Sequence, residues 1–299
     1  MVRTIGNPLS WGVNRVSLAT HRLEEAVHHL GQGDRPARDL PEVRRIGVAD
    51  IGRALRLGLR DCVAARSDVV FVVALYPLIG LALVSLAFSR SLTPLVFPIL
   101  SGFALLGPVA AVGLYEMSRR REAGEAPGWA DALAVARVPG FPAILTLGLA
   151  LGLVCLVWVM TAHAVYLATL GTLTPVPQAP ADFLRATFTT GAGWTMIVVG
   201  CGIGFLFAAA VLVTSAFAFP LLVDRDIGLP GAVVTSMRVA QANPVPVALW
   251  GAVVAGLLLL GALPLLLGLI VVMPVLGHAT WHLYRMAVAP PPRASISAR

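Results

Sequence analysis

The chain has 299 residues, 58% of them hydrophobic and only 12% charged, with a mean hydropathy of +0.84. Soluble domains carry about 25% charged residues, so an ordinary water-soluble core is excluded. The net charge of +7 comes from 22 basic residues, all arginine; in a chain this apolar it reads as membrane topology, and no nucleic-acid partner is expected.

Residues 1–40 read as a cytoplasmic amino-terminal arm, a short amphipathic helix followed by the Gly31-Gln32-Gly33-Asp34-Arg35-Pro36 linker. His21, Glu24, Glu25, His28 and His29 lie in it. Glu25-x-x-His28 has the spacing of a di-iron half-site, but such a site needs a second motif and further carboxylates, and a solvated helix face is the simpler reading. No apolar segment lies among the first 68 residues, so a cleaved signal peptide is not expected. Eleven arginines precede residue 69, which marks this end as cytoplasmic because positive flanks stay inside.

From Val69 onward, apolar runs of twenty residues or more lack Asp, Glu and Arg. About 20 such residues cross the ~30 Å hydrocarbon layer. Spans are expected at 69–88, 94–118, 141–168, 193–223, 245–261 and 264–285. Residues 245–285 are too long for one span: at 1.5 Å per residue they would make a helix of about 62 Å. The Gly261-Ala262-Leu263-Pro264 break is the place to turn. Six spans leave only Arg90 and Arg185 outside. The expected fold is therefore all-α: a polytopic membrane protein with six transmembrane helices as three hairpins, short cytoplasmic amphipathic helices, and both termini cytoplasmic. The membrane domain runs from 41 to 287, and 288–299, with Pro290-Pro291-Pro292, reads as a disordered tail.

Each hairpin is preceded by a short amphipathic segment. In the first, Ile51, Leu55, Leu59 and Cys62 share one helical face and Arg53, Arg56 and Arg60 the other, a pattern suited to a headgroup plane. The second runs from Pro127 to Val138 and the third from Pro230 to Val239. Pro108 and Pro274 each stand eleven residues before an arginine, Arg119 and Arg285, which suggests a threefold repeat. Gly200-x-x-x-Gly204 has the spacing of a helix-packing face. Thr189-Thr190-Gly191-Ala192-Gly193-Trp194 is either a helix cap or a short re-entrant turn. The three cysteines, Cys62, Cys155 and Cys201, form no C-x-x-C pair and support neither a disulfide framework nor a zinc site.

Two constellations carry possible chemistry. His278 and His282, at i and i+4, share a helix face and are able to present two imidazoles to a metal or haem iron. Trp281 and Tyr284 beside them equally describe a helix leaving a bilayer through its aromatic belt. His163 reads as a lone packing histidine. At the cytoplasmic rim, Arg119, Arg120, Asp224, Arg225, Arg238 and Arg285, with Glu116 nearby, form either an anionic headgroup site, since arginine grips phosphate in a bidentate fork, or an ion-pair belt. The Asp224-Arg225-Asp226 run calls for specific partners such as Arg119 or Arg238.

Longer motifs stand out between these points: LLGPVAAVGLYEMSRRREAGE (105–125), TTGAGW (189–194), GFLFA (204–208), FPLLVDRDIG (219–228), NPVPVALWG (243–251) and PVLGHATWHLYR (274–285). With Val43-Arg44-Arg45-Ile46 and Tyr76-Pro77, they make residues 40–287 similar to a bacterial integral-membrane family, domain of unknown function 2189. The resemblance implies a membrane domain and no particular activity. Some members are labelled cytochrome c oxidase subunit I. A haem–copper core needs about six histidines, and only His163, His278 and His282 lie in or near the spans, so that label does not fit this chain.

The expectation is a non-enzymatic protein of the bacterial cytoplasmic membrane, interacting with lipids, with membrane-protein partners or with itself, and needing no cofactor. Catalysis requires positioned titratable or nucleophilic groups, and the spans hold few. A permease for an apolar or lipid-like substrate is the alternative, and a haem or metal protein using His278 and His282 comes third. A headgroup enzyme using Glu116 or Asp224 ranks last.

Overall fold

Apolar runs without charge leave the backbone only its own groups to bond, and in such segments the helix is the local solution. The computed structural model describes residues 40–64, 69–89, 92–172 and 179–290. The His21–His29 cluster, Arg90 and residues 291–299 lie outside the described residues. Among the described residues there are helices and no strand, apart from one antiparallel bridge between Val43 and Val288.

Short α1 (Val48–Ala64) precedes α2 (Val69–Ser89). A nearly continuous rod follows in three pieces: α3 (Val96–Leu105), α4 (Gly107–Ala110) and α5 (Val112–Glu122). Short α6 (Trp129–Leu133) leads into α7 (Phe141–Ala168), and α8 (Pro180–Thr189) into α9 (Gly191–Ser215) and its continuation α10 (Ala218–Asp224). Finally α11 (Gly228–Ala242) precedes α12 (Pro244–Ala262) and α13 (Leu269–Ala287). The helices coincide with the six apolar runs. Three of them, Phe141–Ala168, Gly191–Asp224 and Pro244–Ala262, are long and apolar enough to cross a membrane. The order of short helix followed by two longer ones recurs three times.

The breaks have local causes. Pro108 has no N–H to give the preceding turn, and the rod interrupts at Leu106. The Tyr76 hydroxyl donates to the Phe103 carbonyl at 2.8 Å, and the two rings stack at 4.1 Å. Trp158 of α7 likewise donates to the Pro98 carbonyl at 3.0 Å. Between α12 and α13 the chain turns at 263–268, with Leu265 and Leu266 at φ 52° and 66°. Thr190 settles the TTGAGW motif as a cap, accepting from the Gly193 amide at 3.0 Å. Gly193 is needed there because Thr187 backbone fills the space a Cβ would take. Gly204 packs against the Trp158 ring of the same chain, as a small-residue face should.

The bulkiest fully buried side chains gather toward the end of the bundle where α5, α10 and α13 finish. Tyr115, Phe217, Phe219, Trp250, Trp281 and Tyr284 are fully buried. Away from it, α7 and α9 expose Leu149, Leu153, Val198, Phe205 and Leu206. A large bare apolar surface is costly in water and suits hydrocarbon.

The structure corrects four expectations. The buried stripe of α1 is Ile51, Ala54 and Gly58, packed on α13, while Leu59 faces outward at 50% exposure. A Cβ at Gly58 would lie 2.6 Å from the Ala279 backbone N, so the closest approach of the helices selects the glycine face. Trp281 and Tyr284 are buried between helices rather than placed in an outer aromatic belt, and His163 is exposed rather than packed inside. Val288 and Ala289, expected in a disordered tail, are buried, with Ala289 donating to the Glu42 carbonyl at 2.9 Å.

Candidate functional site at the charged end of the bundle

The charged residues that punctuate the sequence meet at the core end. Asp61 ends the buried face of α1, Ser118 and Arg121 come from α5, and His278 and His282 from α13. His282 Nε2 lies 2.8 Å from Asp61 Oδ2, and Ser118 Oγ donates to the same oxygen at 3.1 Å. Arg121 pairs with Asp61 Oδ1 at 3.3 Å and donates to the Asp61 carbonyl at 2.6 Å. Burial pushes the Asp61 carboxyl up. The hydrogen bond and charge of His282, joined by Arg121, more than reverse this and hold it below its ordinary 3.8. Burial raises the neighbouring Cys62 thiol.

The wiring around Ser118 fixes a tautomer. An ionised carboxylate only accepts, so Ser118 directs its O–H at Asp61 and accepts from His278 Nδ1, 2.7 Å away. The His278 lone pair then sits on Nε2, which is buried and has no hydrogen-bond partner among the described residues. In a nucleophilic triad the histidine stands between serine and carboxylate. Here the serine stands between histidine and carboxylate, so the basic nitrogen faces away from the hydroxyl.

Sequence reasoning brought His278 and His282 forward as possible metal or haem ligands. In the structure each directs one nitrogen to a different partner, Ser118 or Asp61. Among the described residues, no group of three or more His, Cys, Asp or Glu side chains is arranged to hold a metal ion.

The rim arginines form a second, linked layer. Glu116 is 1% exposed and is clamped by Arg119 through two bonds of 2.8 Å and by Arg120 at 2.8 Å. These bonds raise both guanidinium pKa values. Arg120 also reaches Asp131 at 2.8 Å, and Asp131 caps α6 by accepting from the Gly128 amide. Arg285 bridges Glu122 at 3.0 Å and Asp224 at 3.5 Å. The Tyr284 hydroxyl donates to Asp224 at 2.5 Å, Trp281 Nε1 to Glu122 at 3.2 Å, and Arg225 to both Asp224 and the Ala289 carbonyl. Asp224 thus finds Arg225, Arg285 and Tyr284 as direct partners, with Arg119 acting only through its charge. Arg238 is exposed on α11, and Asp226 is exposed as well.

Sequence reading missed three residues that organise this end. Asp61, Ser118 and Asn243 each lie in quoted or neighbouring motifs, but none stands in a recognisable spacing with its partners. Asn243, buried between α11 and α12, accepts from the Ile46 amide at 2.8 Å and donates to the Arg44 carbonyl at 3.0 Å. With the Arg44 amide bonded to the Ala287 carbonyl, it ties the start of the described chain to its end. The signal was a polar residue followed by Pro244 and Pro246, but its partners are 197 and 199 positions away.

No curated protein and no solved structure matches the chain. Residues 96–224 match the model of a family described as predicted integral membrane protein, domain of unknown function 2189, the same family that the motifs of the chain resemble.

Proposed function

We propose that this is a six-span protein of the bacterial cytoplasmic membrane, with three helical hairpins, both termini and the charged end in the cytoplasm, and a non-enzymatic role carried out through lipids. The observation behind the topology is the meeting of chain segments at one end. The ends of α5, α10 and α13 and the segment before α2 share one ion-pair network through Arg121–Asp61, Arg285–Glu122 and Arg285–Asp224. Helices that finish together after each hairpin return to the same side. Arginine clusters favour the cytoplasmic side.

The lipid reading rests on the same network. The charged groups of the rim are satisfied by one another, which supports an ion-pair belt fixing the hairpins, and the bare apolar faces of α7 and α9 leave lipid as their natural neighbour. Native mass spectrometry of the full-length protein extracted gently from its host membrane tests this. Phospholipid retained on the protein is the expected result. A delipidated protein carrying a haem, a metal ion or a small polar solute would overturn the reading.

A further inference from the structure

The arginines that the sequence nominated for headgroup binding, Arg119, Arg120, Arg225 and Arg285, are held by carboxylates of the same chain. A phosphate would have to displace those partners. The arginines of α1 differ. Arg53, Arg56 and Arg60 are exposed on one stripe of that helix. Arg53 has 66% of its side chain exposed and a loose contact of 3.9 Å to Asp50. Asp50 itself is committed to the Gly47 amide at 2.8 Å, capping the helix start. Arg56 donates to the Gly52 carbonyl of its own helix. No acidic side chain pairs with Arg60 among the described residues.

Beside this stripe lies an apolar one that the described residues leave uncovered. Val48, Leu59 and Val63 are 55%, 50% and 77% exposed and recur at helical spacing. The rest of the helix is fixed rigidly: Gly58 lies against α13 backbone, and Asp61 is bonded to His282 and Arg121. The two outward stripes are therefore presented in a set orientation, apolar residues next to unmatched positive charge.

We infer that the outward flank of α1 is a binding site for acidic phospholipid headgroups. Val48, Leu59 and Val63 enter the acyl boundary, and Arg53, Arg56 and Arg60 grip the phosphates above it. The inference rests on the lipid reading given above and adds the lipid class and the residues. Charge complementarity decides the class, because three exposed arginines, of which Arg53 alone has an acidic contact among the described residues and that a loose one, discriminate for net negative headgroups over zwitterionic ones.

Titration of the full-length protein in mild detergent with phosphatidylglycerol or phosphatidylcholine, with bound lipids counted by native mass spectrometry, tests it. Each arginine near an acidic leaflet is worth a factor of about five, so the unaltered protein should prefer phosphatidylglycerol by at least about tenfold. R53Q/R56Q/R60Q should abolish that preference, whereas R185Q, exposed at the opposite end, should keep it. Raising salt from about 0.1 M to about 1 M cuts the screening length from about 10 Å to about 3 Å and should weaken phosphatidylglycerol binding without any substitution. A preference that survives both the triple substitution and high salt overturns the proposal, as does an acidic protein retained on α1 in place of lipid. Failure of the unaltered protein to bind either lipid would instead sink the broader lipid reading.

Discussion

At the scale of single residues, Asp61 makes a polar joint between α1 and the bundle, since it is bonded to His282, Ser118 and Arg121 together. Asp61→Asn should cost about 1–3 kcal/mol, the range for breaking a partly buried charged hydrogen-bond group. Its folded pKa lies below 3.8, so its contribution is present in full above the ordinary carboxylate range. That contribution is lost as pH falls through the folded value. Thermal unfolding in detergent between pH 7 and pH 3 should show an acid limb that is shallower in the Asn variant; parallel curves would refute the assignment. Asn243→Ala strands the buried Ile46 amide, at about 1–3 kcal/mol for a buried group left unpaired, and removes the bond to the Arg44 carbonyl. Faster amide exchange at Ile46 is the expected readout. Neither residue was legible as important in the sequence, because their roles arise from contacts at separations of 57 to 221 positions.

At the scale of elements, the helices themselves were plain in the sequence. Long runs without charge admit no other backbone solution in hydrocarbon, and charge and proline mark their ends. What periodicity left undecided was the face of α1 that packs. Ile51, Leu55, Leu59 and Cys62 satisfy the same helical spacing as Ile51, Ala54 and Gly58, and hydrophobicity favours the larger side chains. Close packing reversed that preference, since only the small residues admit the α13 backbone. Gly58→Leu should therefore detach α1 and cost about 1–3 kcal/mol, the usual cost of overpacking. An unchanged melting temperature would show that the helices are not in contact there. The turn between α12 and α13 offers the opposite test. Leu265 is 74% exposed with φ 52°, a conformation costing a non-glycine residue about 1–2 kcal/mol. Leu265→Gly should raise the melting temperature modestly, after the larger unfolded-state entropy of glycine takes part of the gain.

At the scale of the whole molecule, the arginine distribution anticipated that one end would gather the charge, and the ion pairs among α1, α5, α10 and α13 give that end its structure. Which charges pair was not readable. Asp224 draws Arg225, Arg285 and Tyr284 as direct partners, because the ends of α10 and α13 lie side by side. The proposed topology requires that end to be a single membrane face. The direct measurement is cysteine labelling in spheroplasts with a membrane-impermeant maleimide, on a chain whose Cys62, Cys155 and Cys201 are replaced by alanine. Single cysteines at Thr172 and Leu265 should label in intact spheroplasts, and those at Glu125 and Asp226 only after permeabilisation. Labelling of Glu125 or Asp226 positions in intact spheroplasts would contradict the proposed six-span topology and the proposed cytoplasmic side of the charged end.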